Sequence, residues 1–143
     1  METTSEKDPQ NDKMVVVGIG ASAGGLESLQ EVVKSLPTKS MMTYVVAQHL
    51  SPTYRSMMTE LLQRDSVIEV LEAKNGMVLR KDTIYICPPN KDIIIVGNII
   101  ELKSPGKVAY SPKPSIDLLF ETIALEHKTH GVGIILSGTG SDG

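Results

Sequence analysis

Met14-Val15-Val16-Val17-Gly18-Ile19 is an apolar run with no polar interruption, the pattern of a strand buried on both faces of a parallel sheet. It breaks into Gly20-Ala21-Ser22-Ala23-Gly24-Gly25, after which Leu26, Leu29, Val32 or Val33, and Leu36 recur with helical spacing as far as Pro37. Met41 to Ala47 is a second apolar strand, ending at Gln48-His49. Ser51-Pro52 then supplies a cap and a first helical residue. The helix to Arg64 is expected to turn Met57, Met58, Leu61 and Leu62 inward, and Val67 to Leu71 reads as a short third strand. Thr83 to Cys87 is a strand halted by Pro88-Pro89. Asp92 to Val96 and Ile99 to Leu102 flank Gly97-Asn98, a two-residue hairpin connection. Ser104 to Pro114 shows no periodicity. Ser115 is placed to cap a helix to about His127 that buries Ile116, Leu119, Phe120 and Ile123, and Gly131 to Leu136 reads as a last buried strand. Strands alternating with helical crossovers predict an α/β fold: a doubly wound, mostly parallel sheet with an antiparallel hairpin at one edge.

Composition narrows the class. The 143 residues have room for one domain with a core, which three per cent aromatics and no Trp leave to Val, Ile, Leu and Met. A net charge of -3 argues against a nucleic-acid partner. No apolar stretch is long enough for membrane insertion, and residues 1–13 have the composition of a disordered polar tail before a domain over 14–143. The single cysteine, Cys87, excludes an internal disulfide framework, fits a reducing, cytoplasmic setting, and has no second thiol at metal-ligand spacing. No metal or cofactor is expected.

In doubly wound sheets chemistry collects beyond the carboxyl ends of the strands. Ser22, His49 and Asp142 follow the first, second and last of the apolar strands. Gly20-Ala21-Ser22-Ala23-Gly24 fits G-x-S-x-G, the turn that raises a nucleophilic serine above a sheet. Gly18-Ile19-Gly20-Ala21-Ser22-Ala23 equally fits the looser glycine pattern of dinucleotide-binding folds. The latter requires an acid at the end of the second strand to bind ribose hydroxyls, and Ala47-Gln48-His49-Leu50 supplies none. A serine nucleophile needs a histidine to accept and return its proton, and a carboxylate to orient that histidine. His49 and Asp142 are the candidates. Each has a bland reading alone: Ser22 as a helix cap, His49 as a solvated strand end, Asp142-Gly143 as turn chemistry. The order Ser, His, Asp differs from that of α/β-hydrolases.

Val17 to Gly25, Val46-Ala47-Gln48-His49-Leu50 and Ile135 to Gly143, with Pro88-Pro89-Asn90 before the hairpin, resemble the catalytic domain of CheB-type protein-glutamate methylesterases of chemotaxis. The resemblance runs from about Val15 to the last residue. It implies hydrolysis of glutamate γ-methyl esters on chemoreceptor helices, with deamidation of receptor glutamines as a companion activity. Ser22 would be nucleophile, His49 general base and Asp142 its orienting carboxylate, with oxyanion-hole donors in the backbone N–H groups at Ala23 and Thr139. Stand-alone members commonly carry threonine and methionine at the two positions held here by Ala23 and Thr139. Alanine and threonine look more like domains fused ahead of a receptor methyltransferase, which makes such a domain an expected partner. The 13-residue tail is too short for a phosphorylatable receiver domain, and the family domain continues past its Asp motif. The resemblance therefore implies a chain cut short at its C-terminal end, with Asp142 poorly fixed. A non-catalytic docking module of the same fold is the alternative reading.

Overall fold

The computed structural model describes residues 14–22, 25–49, 52–88, 90–104 and 115–136, apart from the side chains of 52–56. Among the described residues five strands form a parallel sheet in the order β3-β4-β2-β1-β7. They are β1 (Val15–Ala21), β2 (Met42–Gln48), β3 (Glu69–Glu72), β4 (Thr83–Ile86) and β7 (Gly131–Ile135). Helix α1 (Leu26–Ser35) crosses from β1 to β2, α2 (Pro52–Asp65) follows β2, and α3 (Ile116–His127) precedes β7 through a short 3-10 turn at Lys128–His130.

Strand alternation divides the core in two. Val17, Ile19, Tyr44, Val46, Ile84 and Ile86 face Leu29 and Val33 of α1 and Met58 and Leu62 of α2. Val16, Val45, Ala47, Tyr85 and Cys87 face Ile116, Leu119 and Ile123 of α3 on the other side. Both faces of the central strands are therefore covered, which explains their unbroken apolar runs.

The hairpin of β5 (Asp92–Val96) and β6 (Ile99–Lys103) is antiparallel and turns at Gly97, whose φ is 62°. It forms a sheet of its own instead of extending one edge of the parallel sheet. Ile93, Ile95 and Ile100 join the α3-side core, so the hairpin lies in the same layer as α3. Its backbone is satisfied there. The Ile95 N–H donates to Thr122 Oγ1 at 3.1 Å, the Gly97 N–H donates to the Glu126 carboxylate, and the Gly97 carbonyl bonds His127 Nε2 at 2.6 Å. The free edge of β6 is met by the 76–79 segment, with Ile100 N to Met77 O and Leu79 N to Asn98 O both at 2.8 Å.

Ser115 caps α3 as expected, its Oγ accepting from Leu118 N at 3.1 Å. Other expectations fail in detail: Leu61 and Phe120, expected to turn inward, are only partly buried. Among the described residues the last strand is an edge, and Val132 and Ile135 are exposed where a buried strand is expected. Met57 also turns outward, leaving Met58 and Leu62 as the fully buried residues among the described side chains of α2. Among the described residues no helix is long and apolar enough to cross a membrane.

Candidate functional site

Parallel register brings two of the candidate residues side by side. Ala21, the last residue of β1, pairs with Gln48, the last of β2, and the His49 N–H donates to the Ala21 carbonyl at 2.8 Å. Adjacent strands lie about 4.8 Å apart, so Ser22 and His49 leave neighbouring strands at the same level of the carboxyl rim. Ser22 is buried and His49 half-buried. The Ser22 carbonyl accepts from Gly25 N at 2.9 Å, closing the tight turn into α1. That helix starts at Leu26 with Gly25 as its N-cap. Its leading N–H groups and the positive end of its dipole are thus set a few residues beyond Ser22.

On the other flank of β1, Leu136 N donates to the Gly20 carbonyl at 3.0 Å, which puts the end of β7 at the same rim. The order β7-β1-β2 makes Ser22 the central position. Asp142, Ala23 and Thr139 lie outside the described residues.

The competing glycine pattern is settled by what the glycines face. A Cβ on Gly18 would stand 2.7 Å from Ile123 Cδ1, and one on Gly20 would stand 2.5 Å from Ile116 Cγ2. Both glycines lie inside β1, and the space beside them is filled by α3. They make room for a helix. A dinucleotide site uses its glycines to bring backbone up to a pyrophosphate, and here that space is taken.

Other titratable groups serve the fold. Asp92, which the sequence pattern did not single out, is buried and accepts from Ser115 N at 2.7 Å, tying the start of β5 to the start of α3. The buried Cys87 thiol donates to the Lys91 carbonyl at 3.4 Å. His127, half-buried at the end of α3, holds the hairpin turn. Glu69 pairs with Arg80 at 3.2 Å across solvent. An apolar hollow of about 160 Å³ between α3 and β7 is lined by Phe120, Ile123, Lys128 and Gly131. Gly131 pairs with Val16 near the start of β1, at the end of the sheet opposite Ser22. Among the described residues no group of three His, Cys, Asp or Glu is placed to hold a metal.

Fold and rim together define a three-layer α/β domain with serine and histidine on adjacent strand ends. The chain belongs to the CheB methylesterase family, whose model matches residues 17–143. It is similar to the catalytic domain of Thermotoga maritima CheB methylesterase, with a TM-score of 0.80 and 27% identity over 91% of this chain and 70% of that one. A Saccharophagus degradans protein-glutamate methylesterase/protein-glutamine glutaminase is 32% identical over 90% of this chain and 35% of its own length. The Salmonella typhi protein of the same name is 31% identical over 99% of this chain and 41% of its own length. The chain thus spans between a third and about two-fifths of these curated relatives.

Proposed function

We propose that the protein hydrolyses glutamate γ-methyl esters by a serine mechanism, with methylated chemoreceptor helices as substrate. The observation that carries the proposal is the Ala21–Gln48 rung with its His49 N to Ala21 O bond, which delivers a serine and a histidine together at the rim. Membership of the methylesterase family and the names of the relatives support the choice of ester.

In this mechanism Ser22 Oγ attacks the γ-carbonyl carbon while His49 takes the hydroxyl proton. The tetrahedral intermediate carries its negative charge on the former carbonyl oxygen. Backbone N–H groups at Ala23 and Thr139 are the proposed donors to it, aided by the field of the α1 N-terminus. Collapse breaks the bond to the methoxy oxygen, which takes the proton from His49 and leaves as methanol. Water, deprotonated by His49, then attacks the glutamyl-serine ester and releases the carboxylate. Asp142 orients the imidazole and stabilises its cation. With a glutamine side chain the same steps release ammonia, the glutaminase half of the relatives' name. The residues at Ala23 and Thr139 support a fused methyltransferase as partner. A single, buried cysteine, Cys87, is consistent with a reducing cytoplasm.

The test is methanol release from methylated receptor. Ser22→Ala and His49→Ala should each lower kcat by about a thousandfold or more, and a fluorophosphonate should label the parent but not Ser22→Ala. Undiminished turnover in either variant refutes the assignment.

A further inference from the structure

Among the described residues the parallel sheet has two edges, β3 and β7, and they are finished differently. On β3 the backbone groups that point away from the sheet are met by a side chain. Val70 N donates to Gln63 Oε1 at 2.8 Å, and Gln63 Nε2 donates to the Ile68 carbonyl at 3.2 Å. Exposed Glu69 and Glu72 add charge to the same edge. Such devices keep a foreign strand from pairing. β7 carries none of them: Gly131-Val132-Gly133-Ile134-Ile135 holds no charge and no proline. Leu136 N bonds to the Gly20 carbonyl of β1, so alternation turns the N–H and C=O groups of Gly131, Gly133 and Ile135 outward. The Gly131 N–H is taken by the Lys128 carbonyl. Among the described residues nothing bonds to the N–H groups of Gly133 and Ile135 or to the carbonyls of Gly131 and Gly133.

Beside this edge stand a knob and a hole. Gly131 and Gly133 face Ile123 and Phe120 of α3, so alternation puts the Ile135 side chain on that side too, where it is 43% exposed. The apolar hollow of about 160 Å³ lies on the same side, beside Gly131. A cavity of about 150 Å³ accepts benzene, a larger group than an isoleucine side chain. A second β7 laid antiparallel, with Gly133 opposite Gly133, sets Ile135 of each copy opposite Gly131 of the other. In that register Gly133 N meets the other Gly133 carbonyl and Ile135 N meets the other Gly131 carbonyl, each twice. Gly131 has no side chain to bar the way, so each Ile135 comes over the other copy's hollow. The charges agree. Asp117, Phe120, Ala124 and Lys128 recur at helical spacing, and the last three line the hollow. The same two-fold axis runs α3 antiparallel to its copy, which brings Lys128, just past the end of one helix, toward the first turn of the other, where Asp117 stands.

We propose that β7 is a dimerisation edge whose occupant is a second copy of this chain, paired antiparallel about Gly133. Open backbone, an exposed isoleucine and an apolar hollow are then satisfied by one register. The two parallel sheets join into one, with α3 and its copy side by side on the same face. Four backbone hydrogen bonds and two isoleucines make a small isologous interface, so association is reversible and in the micromolar range rather than obligate. The surface owes nothing to the serine chemistry, and stands or falls apart from it.

The experiment measures the mass of the full chain by sedimentation equilibrium, from low micromolar to several hundred micromolar, with amide hydrogen exchange at both ends of that range. The parent should pass from monomer to dimer, and the Gly133 and Ile135 amides should gain protection as it does. Ile135→Lys brings a charge to an apolar hollow at both symmetric contacts and should raise Kd about a hundredfold or more, whereas Ile135→Ala, which leaves the hollow unfilled, should raise it about tenfold. A parent that stays monomeric while both amides exchange freely at every concentration overturns the inference. A dimer that Ile135→Lys leaves unchanged forms elsewhere and overturns it as well. If circular dichroism shows that Ile135→Lys does not fold, hydrogen exchange in the parent decides alone. Concentration-dependent protection of Gly133 and Ile135 then supports the paired edge, and its absence refutes it.

Discussion

On the side of β1 that meets α1 and α2, Val17 and Ile19 enter a cluster with Leu29, Val33, Met58 and Leu62. On the side that meets α3, Gly18 and Gly20 present bare backbone, and Phe120, Ile116 and Ile123 come down onto it. One strand thus builds its two interfaces by opposite means, filling space on one face and vacating it on the other. The consequence reaches the functional site. Glycines that read as a phosphate cradle are spent on bringing a helix close, and only the turn beginning at Ser22 is left for chemistry. A glycine pattern therefore carries meaning only once the occupant of its space is known.

The two faces should respond oppositely to a change in side-chain volume. The largest effect is expected on the filled face. Leu29 is fully buried in its cluster, and Leu29→Ala should cost about 2–5 kcal/mol through lost burial and the cavity left behind, read as a lower urea midpoint at unchanged m-value. On the vacated face the harm comes from adding atoms. Gly20→Ala drives a Cβ to 2.5 Å from Ile116 Cγ2, and Ile116 is the buried, β-branched first residue of α3. It cannot swing aside without moving the helix start that Ser115 and Asp92 hold. The expected loss is about 1–3 kcal/mol. A neutral or stabilised Gly20→Ala would remove the packing account of this glycine and reopen the ligand-cradle reading.

The elements themselves were legible from the sequence because each depends on local signals. The apolar runs of β1 and β2, the Gly97-Asn98 turn and the Ser115 cap all appear where their patterns put them. So does the placing of Ser22 and His49 at adjacent strand ends, since successive parallel strands joined by a helix end at one rim. What escaped depends on neighbours. Gly131-Val132-Gly133-Ile134-Ile135 is as apolar as a central strand, and its place at the sheet edge follows from strand order alone. Asp92 to Lys103 reads correctly as a hairpin, but only contacts with Thr122, Glu126 and His127 decide that it lies beside α3. The burial of the Gln48 carboxamide is visible only when the helices covering β2 are in place. Asp142, the residue on which the triad would be completed, lies outside the described residues.

Gly133→Ala gives the finest division within the vacated face. A Cβ there would meet Phe120 Cε2 at 3.1 Å and Cδ2 at 3.2 Å, a milder approach than at Gly20. The neighbour is also different, since Phe120 is only partly buried, and Gly133 itself lies exposed on the edge strand. A ring at the margin of the core can yield by a few tenths of an ångström. Alanine also reduces the freedom of the unfolded chain, which favours folding by about 0.4–1 kcal/mol where the native backbone accepts it. These terms oppose each other, so Gly133→Ala should move stability by no more than about 0.5 kcal/mol in either direction. A loss as large as that of Gly20→Ala would mean that α3 is held as rigidly at the edge as at the centre. Vacated space would then be needed along the whole α3 face, β7 included.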